Sequence, residues 1–356
     1  MSALRALRAL RIAIVTDAWY PQINGVVRTL DTVRAELVAL GHTIEIIAPD
    51  RFRTVPTPSY PEIPLALFPA RKVRRLLDAF APEAIHIATE GPLGWAARHY
   101  CLKRGLPFTT SFHTKFPEYI HARLRLPVRW GYALMRRFHA PAKGVMVATP
   151  SLAATLEGYG FKNLKRWTRG VDTALFRPRS KAHFNGNRPV FLFTGRVAVE
   201  KNIEAFLSLD LPGTKAVVGD GPMLAELKAR YPDAIFTGYK RGEELAAHIA
   251  SADVFVFPSL TDTFGLVLLE ALASGVPVAA FPVTGPIDVA ADPTLGCLDW
   301  DLAKAARAAL EKRPEDCRAH AERYSWRACA EIFLANLHPI MPNRANESLT
   351  PALMPE

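Results

Sequence analysis

Short apolar runs alternate with helix-spaced apolar positions along most of this chain. In the first half, Arg11–Thr16, Thr43–Ala48, Ala84–Ala88, Pro107–Ser111 and Gly144–Ala148 read as buried strands. Between the first two, Leu30, Val33, Leu37 and Leu40 recur at helical spacing over Thr29–Leu40, and Gly41 closes the helix. After Arg177-Pro178-Arg179-Ser180 and the polar stretch Ala182–Pro189 the pattern restarts, with strands expected at Pro189–Thr194, Lys215–Gly219, Ala234–Thr237, Asp253–Pro258 and Val276–Ala280. Alternation of this kind predicts mainly parallel sheets covered by helices, here as two α/β units in series.

The length of 356 residues agrees with two domains. Their expected limits are 1–176 and 177–325, followed by a helix at 326–340 that crosses back to the first domain and a loose tail at 341–356. Apolar residues make up 49% and charged residues 22%, which excludes a disordered chain. The stretch Phe264–Val283 carries Glu270 as its lone charge, but Gly275 and Pro277 divide it into helix-sized and strand-sized pieces, so no membrane span is expected. The beginning of the chain has arginines threaded through it and does not read as a secretory signal. Cys101, Cys297, Cys317 and Cys329 form no C-x-x-C pair, so no zinc site is expected and a reduced, cytoplasmic setting is the simplest one.

Charge separates the halves. Residues 1–175 hold 25 Lys+Arg against 12 Asp+Glu, and residues 176–356 hold 19 against 22, so the first is +13 and the second −3. A basic half calls for an anionic partner, with a membrane surface or nucleic acid as the options. The segment His121–His139 sets five arginines among Leu124, Leu126, Trp130, Tyr132, Leu134, Met135 and Phe138, and Arg71, Lys72, Arg74 and Arg75 form a second cluster. Both suit an anionic membrane, or equally a helix with an apolar core face and solvated cations. No basic–aromatic RNA motif or zinc finger is present, so nucleic acid is the weaker partner.

In open α/β sheets chemistry gathers at the carboxyl ends of strands. The loop Thr16–Val27 feeds a helix start, where Gly25 would let backbone approach a phosphate. The matching loop of the second unit, Thr194–Asn202, places Arg196 and Lys201 near a helix start, where cations oppose the helix dipole and a bound anion would account for them. After the strand at Asp253–Pro258, the N–H groups near Phe264, Gly265 and Leu266 should open a buried helix. Glu270 is a lone carboxylate in that helix; a ribose diol or a structural ion pair would satisfy it. The D-x-D at Asp299–Asp301 precedes a helical pattern and reads as a cap rather than a metal site.

Asp262-x7-Glu270 within FGLVLLEALASGVPV resembles the E-x7-E signature of family-4 retaining glycosyltransferases. DAWYPQINGVVRTL, SFHTKFPEY, TRGVDTALF, GRVAVEKN, VGDGP and FTGYKRGEEL follow in that family's order. The resemblance implies the GT-B fold, two Rossmann-like domains facing across a cleft, and transfer of a sugar with retained configuration and no metal or cofactor. It places Gly25, Arg196 and Lys201 at the donor phosphates, Gly238 and Tyr239 by the base, and Asp262 with the amides of Phe264, Gly265 and Leu266 at the sugar and phosphates. It puts Glu270 at the ribose and His113 in the active site, orienting hydroxyls. Asp262 stands where glutamate is usual and reaches one methylene less far. The members most similar in look glycosylate membrane lipids from UDP-glucose, UDP-glucuronate or GDP-mannose. A UDP-sugar with a diacylglycerol-type acceptor, at the inner face of the cytoplasmic membrane, is the leading expectation; a GDP-mannose-dependent mannosyltransferase and a nucleotide-sugar epimerase are the alternatives. Oligomeric state is open.

Overall fold

The computed structural model describes residues 9–22, 24–57, 60–118 and 125–340. The first domain holds β1 (Arg11–Val15), α1 (Gly25–Ala39), β2 (Thr43–Ile47), β3 (Thr54–Thr57), β4 (Tyr60–Ala66), α2 (Ala70–Phe80), β5 (Ala84–Ile87), α3 (Pro92–Lys103), β6 (Thr109–Phe112), α4 (Val128–His139), β7 (Gly144–Val147), α5 (Pro150–Gly158) and β8 (Leu164–Arg166). The second holds β9 (Val190–Thr194), α6 (Ile203–Leu207), β10 (Thr214–Val218), α7 (Leu224–Arg230), β11 (Ile235–Gly238), α8 (Gly242–Ala250), β12 (Val254–Phe257), α9 (Leu266–Ala273), β13 (Val278–Ala280), α10 (Pro286–Val289), β14 (Gly296–Leu298), α11 (Leu302–Ala309) and α12 (Pro314–Ala321), before α13 (Trp326–Asn336).

Each domain is built on a six-stranded sheet, in the order β2-β1-β5-β6-β7-β8 and β11-β10-β9-β12-β13-β14, and every pairing within them is parallel. Both sheets are covered on both faces, and the alternation along one central strand shows how. In β1, Ala13 and Val15 pack with Val73 of α2, Leu93 and Ala97 of α3 and Phe138 of α4, whereas Ile12 and Ile14 pack with Leu30 and Val33 of α1 and Phe333 of α13. In β9, Val190 and Leu192 face α8 and α9, and Phe191 and Phe193 face α6 and α11. Period-2 alternation between two buried faces makes a continuous apolar run, which is how these strands read in the sequence.

The chain passes between the domains twice. Past Trp167 it runs into the second domain, where Val171 N–H donates to Tyr324 O over 3.0 Å. At Ser325, whose hydroxyl caps α13 by accepting from Ala328 N–H at 3.0 Å, it returns; α13 lies against the first sheet, and Ile340 N–H donates to Glu83 O at 2.7 Å. The apolar stretch at Phe264–Val283 resolves into α9 and β13. Among the described residues no helix is long and apolar enough to cross a membrane.

Two expectations shift at their edges. The first helix begins at Gly25, four residues before Thr29, because Asn24 caps it. The hairpin β3–β4 and the three-residue strands β8 and β14 add to the expected set.

Candidate active site

Strand order reverses between β1 and β5 in the first sheet and between β9 and β12 in the second, and residues beyond the carboxyl ends of the two sheets meet across a cleft. Thr263, after β12, donates its hydroxyl to His113 O, after β6, at 2.7 Å. Ser151 N–H, at the start of α5, donates to the Asp288 carboxylate of α10 at 3.0 Å. Arg28 of α1 pairs with Glu270 of α9.

On the second-domain side, the loop after β9 is held by backbone. Gly195 N–H donates to Val218 O at 3.0 Å and Val197 N–H to Asp220 O at 2.8 Å. A Cβ on Gly219 would come within 1.8 Å of Gly195 O, so the VGDGP segment admits only glycine there and serves as scaffold for the loop beside it. That loop presents Arg196 half-buried and ends in a 3₁₀ turn at Val199–Lys201. Lys201 Nζ donates to Asp262 over 2.5 Å, joining the β9 and β12 loops. Burial works against the charge of Asp262, yet Lys201 and the N–H groups of Thr263 and Phe264 outweigh it and hold its carboxyl below the usual range.

The start of α9 differs from an ordinary helix start. Gly265 sits at its N-cap position with φ 77°, a left-handed conformation that glycine adopts without strain, and it offers no side chain to the first-turn N–H groups. One turn on, Glu270 is 2% exposed. Burial raises its pKa, Arg28 opposes the rise, and the carboxylate oxygen Oε2 is buried with no hydrogen-bond partner. Gly238 (φ 75°) and half-exposed Tyr239 close the end of β11.

On the first-domain side, Gly25 opens α1, but the N–H groups of Val26 and Val27 both donate to Asn24 Oδ1 at 3.0 Å. A phosphate at this helix start would meet Gly25 rather than the capped turn behind it. His113 is buried, and both its ring nitrogens are engaged. Arg169, a donor only, lies 3.2 Å from Nδ1, so the proton sits on Nε2, which donates to Ser111 Oγ at 2.8 Å. Burial and the Arg169 charge hold the imidazole well below its usual pKa, so it is neutral at physiological pH. To orient a sugar or acceptor hydroxyl the ring would have to exchange one of these partners.

Four residues here escaped the sequence reading. Arg28 is the cation three residues after Gly25. Arg169 lies over the Trp167 ring at 4.4 Å, and burial lowers its pKa to about 10, which leaves it charged. Lys115 is buried beside the cleft; burial lowers its pKa, opposed by Glu118, Asp262 and Asp288. Asp17 accepts from Leu93 N–H at 2.9 Å and Gly94 N–H at 3.3 Å, capping α3. The signal for Arg28 and Arg169 was a single cation inside each of two recognised motifs. Asp301 caps α11, accepting from Lys304 N–H at 3.0 Å, and among the described residues no group of three or more His, Cys, Asp or Glu side chains is arranged to hold a metal ion.

Two Rossmann-like domains that meet across a cleft beyond the carboxyl ends of their strands are the GT-B fold. Residues 23–175 match the family model of Glycosyltransferase Family 4 and residues 188–312 that of Glycosyl transferases group 1. The GDP-mannose-dependent alpha-mannosyltransferase of Mycobacterium tuberculosis is 32% identical over 306 residues, covering 78% of this chain and 81% of that one. The alpha-monoglucosyldiacylglycerol synthase of Streptococcus pneumoniae is 30% identical, covering 86% and 79%. The chain therefore belongs to glycosyltransferase family 4. Its fold is also that of sucrose-phosphate synthase from Thermosynechococcus elongatus, with a TM-score of 0.70 at 20% identity over 90% of this chain and 96% of that one.

Proposed function

We propose that this glycosyltransferase moves a hexose from a nucleoside diphosphate sugar to a hydroxyl of a membrane lipid, with retained configuration and without a metal. The observation that carries the donor half is the start of α9, which has no side-chain cap, close in sequence to the Lys201–Asp262 pair. Breaking a glycosyl–phosphate bond leaves negative charge on the nucleoside diphosphate. Fixed cations and open helix N–H groups stabilise that charge with no reorganisation, the largest single contribution in many such reactions. With its Nδ1 lone pair taken by Arg169 and its basicity lowered by burial, His113 is a poor base, which agrees with a mechanism in which a departing phosphate oxygen takes the acceptor's proton.

The acceptor half rests on the first domain. The basic helices α2 and α4 flank α3 in one layer over the sheet: Val73, Leu93 and Phe138 share a core, and Arg98 of α3 donates to the carbonyls of Arg137 and Phe138. Phe68 is 94% exposed before Arg71, Arg74 and Arg75, and Trp130 is 60% exposed among Arg129, Arg136 and Arg137. Exposed aromatics among cations suit the interface of an anionic bilayer, so the protein is read as peripheral to a membrane. The segment 119–124 of the basic stretch noted in the sequence lies outside the described residues.

For the donor, the mannosyltransferase relative at 32% identity favours GDP-mannose over the UDP-sugar expected from the sequence. The diacylglycerol named in the synthase relative supports the lipid acceptor. Radiolabelled GDP-mannose, UDP-glucose and UDP-glucuronate incubated with a total lipid extract, with and without chelator, test the reading. The expected result is label in the organic phase from GDP-mannose, undiminished by chelator. No lipid label from any donor overturns the acceptor; loss on chelation overturns the metal-free mechanism; donor turnover without acceptor favours an epimerase.

A further inference from the structure

The carboxylate of Glu270 is divided between two fates. One oxygen, Oε1, is taken by Arg28, which reaches it from α1 in the opposite domain, and the other, Oε2, is buried without a partner. An orphaned carboxylate oxygen in a closed site is costly unless a donor arrives to fill it. Arg28 itself is 39% exposed and lies 5.5 Å from the Phe176 ring, so it stands at the mouth of the cleft rather than in the core. The bond joins residues 242 positions apart in the chain and exists only while the domains face each other.

We propose that Arg28 is a positioning residue for the nucleotide: by holding Oε1 from across the cleft it fixes the orientation of the Glu270 carboxylate, leaving Oε2 to accept from the ribose diol of a nucleoside diphosphate. This rests on the reading of the cleft as a nucleotide-sugar site. The assignment couples donor binding to domain closure, since the group that readies Glu270 belongs to the acceptor-side domain. It also separates two oxygens that a sequence motif treats as one residue.

Among the described residues Arg28 is the charge that acts on Glu270. On the helices packed against α9, Arg318 of α12 donates to the carbonyls of Thr173, Phe176 and Ala273, His248 of α8 lies 2.7 Å from Glu244 O, and Asp288 of α10 holds Ser151. Burial raises the Glu270 pKa and Arg28 restrains it, so removing Arg28 moves protonation to higher pH, and a protonated carboxyl is the poorer acceptor.

The test is calorimetric binding of UDP and of GDP to the full chain between pH 5.5 and 8.5, comparing wild type with Arg28→Met, Arg28→Lys and Glu270→Gln, each checked by thermal melting. Arg28→Met is expected to weaken binding roughly tenfold at pH 8, on the scale of one hydrogen bond to a charged group, and further as pH falls. Arg28→Lys should restore most of the affinity and the wild-type pH profile, and Glu270→Gln should remove the pH-dependent part. A loss in Arg28→Met that is uniform across pH would reduce Arg28 to a structural contact and overturn the proposal, as would tighter binding, which would mean that Arg28 competes with the ribose. If wild type binds neither nucleotide, the donor-site reading itself fails; if wild type binds and Arg28→Met matches it throughout, only the role of Arg28 does.

Discussion

The two domains share a sheet of six parallel strands with a reversal of order, yet they treat their helix starts in opposite ways. In the first domain the openings at the switch point are filled by its own side chains: Asn24 takes the N–H groups of Val26 and Val27, and Asp17 takes those of Leu93 and Gly94. In the second, Gly265 leaves the first turn of α9 without a side-chain cap, and Lys201 stands nearby on Asp262. A helix start can bind an external anion only where its own chain has not already satisfied it. Topology alone therefore does not make both domains donor sites, and besides Arg28, Lys115 and Arg169 at the cleft the basic first half carries an exposed cluster of arginines on α2 and α4.

The largest expected effect breaks the comparison on the donor side. Lys201→Ala should lower turnover by about 10²–10³, the loss typical of removing one preorganised group from a developing charge, in protein that still folds but melts lower because Asp262 has lost its cation. A loss of less than tenfold would take Lys201 out of the leaving-group site.

Asp17 sharpens the other side, because its carboxylate is taken up in capping α3 and bonding Thr89. Burial raises its pKa to about 6, against the N–H and hydroxyl donors that lower it. A raised carboxyl pKa means that the folded state holds a proton that the unfolded state releases, so this contribution to stability is present below about pH 4 and lost as pH rises to about 6. Relative to Asp17→Asn, wild-type stability in denaturant titrations should fall over that window, by on the order of 3 kcal/mol. A flat difference would show that Asp17 does not titrate there.

A smaller effect tests the seam between the domains. Thr263→Val removes the bond to His113 O and should cost about 1 kcal/mol, near a fivefold drop in kcat/KM, with little change in stability. Smallest in stability is the paired change Phe68→Ser and Trp130→Ser: melting should stay within about 0.5 kcal/mol of wild type, while flotation with anionic vesicles at low salt falls sharply. Unchanged flotation would remove these aromatics from the membrane face.

Much of this was legible in the sequence because a strand buried on both faces is a plain apolar run, and the ten expected strands lie within a residue or two of those found. β8 and β14 were not, since Leu164–Arg166 is short and basic and Gly296–Leu298 is three residues long. The hairpin β3–β4 lies in a proline-rich stretch that reads as a loop. In the site, motifs gave the residue types, but pairing across long separations is set by tertiary structure. Nothing local tells that Lys201 meets Asp262, 61 residues away, or that the lone charge of α9 is met by Arg28. His113 was visible as a candidate, whereas its saturation by Ser111 and Arg169 was not.

Hydrogen–deuterium exchange on the full chain, measured with GDP and separately with anionic vesicles, tests the division of labour between the domains directly. Nucleotide should slow exchange over 195–202 and 262–270, and vesicles should slow it over 67–80 and 126–137. Nucleotide protection confined to the first domain, or vesicle protection centred on α9, would contradict it.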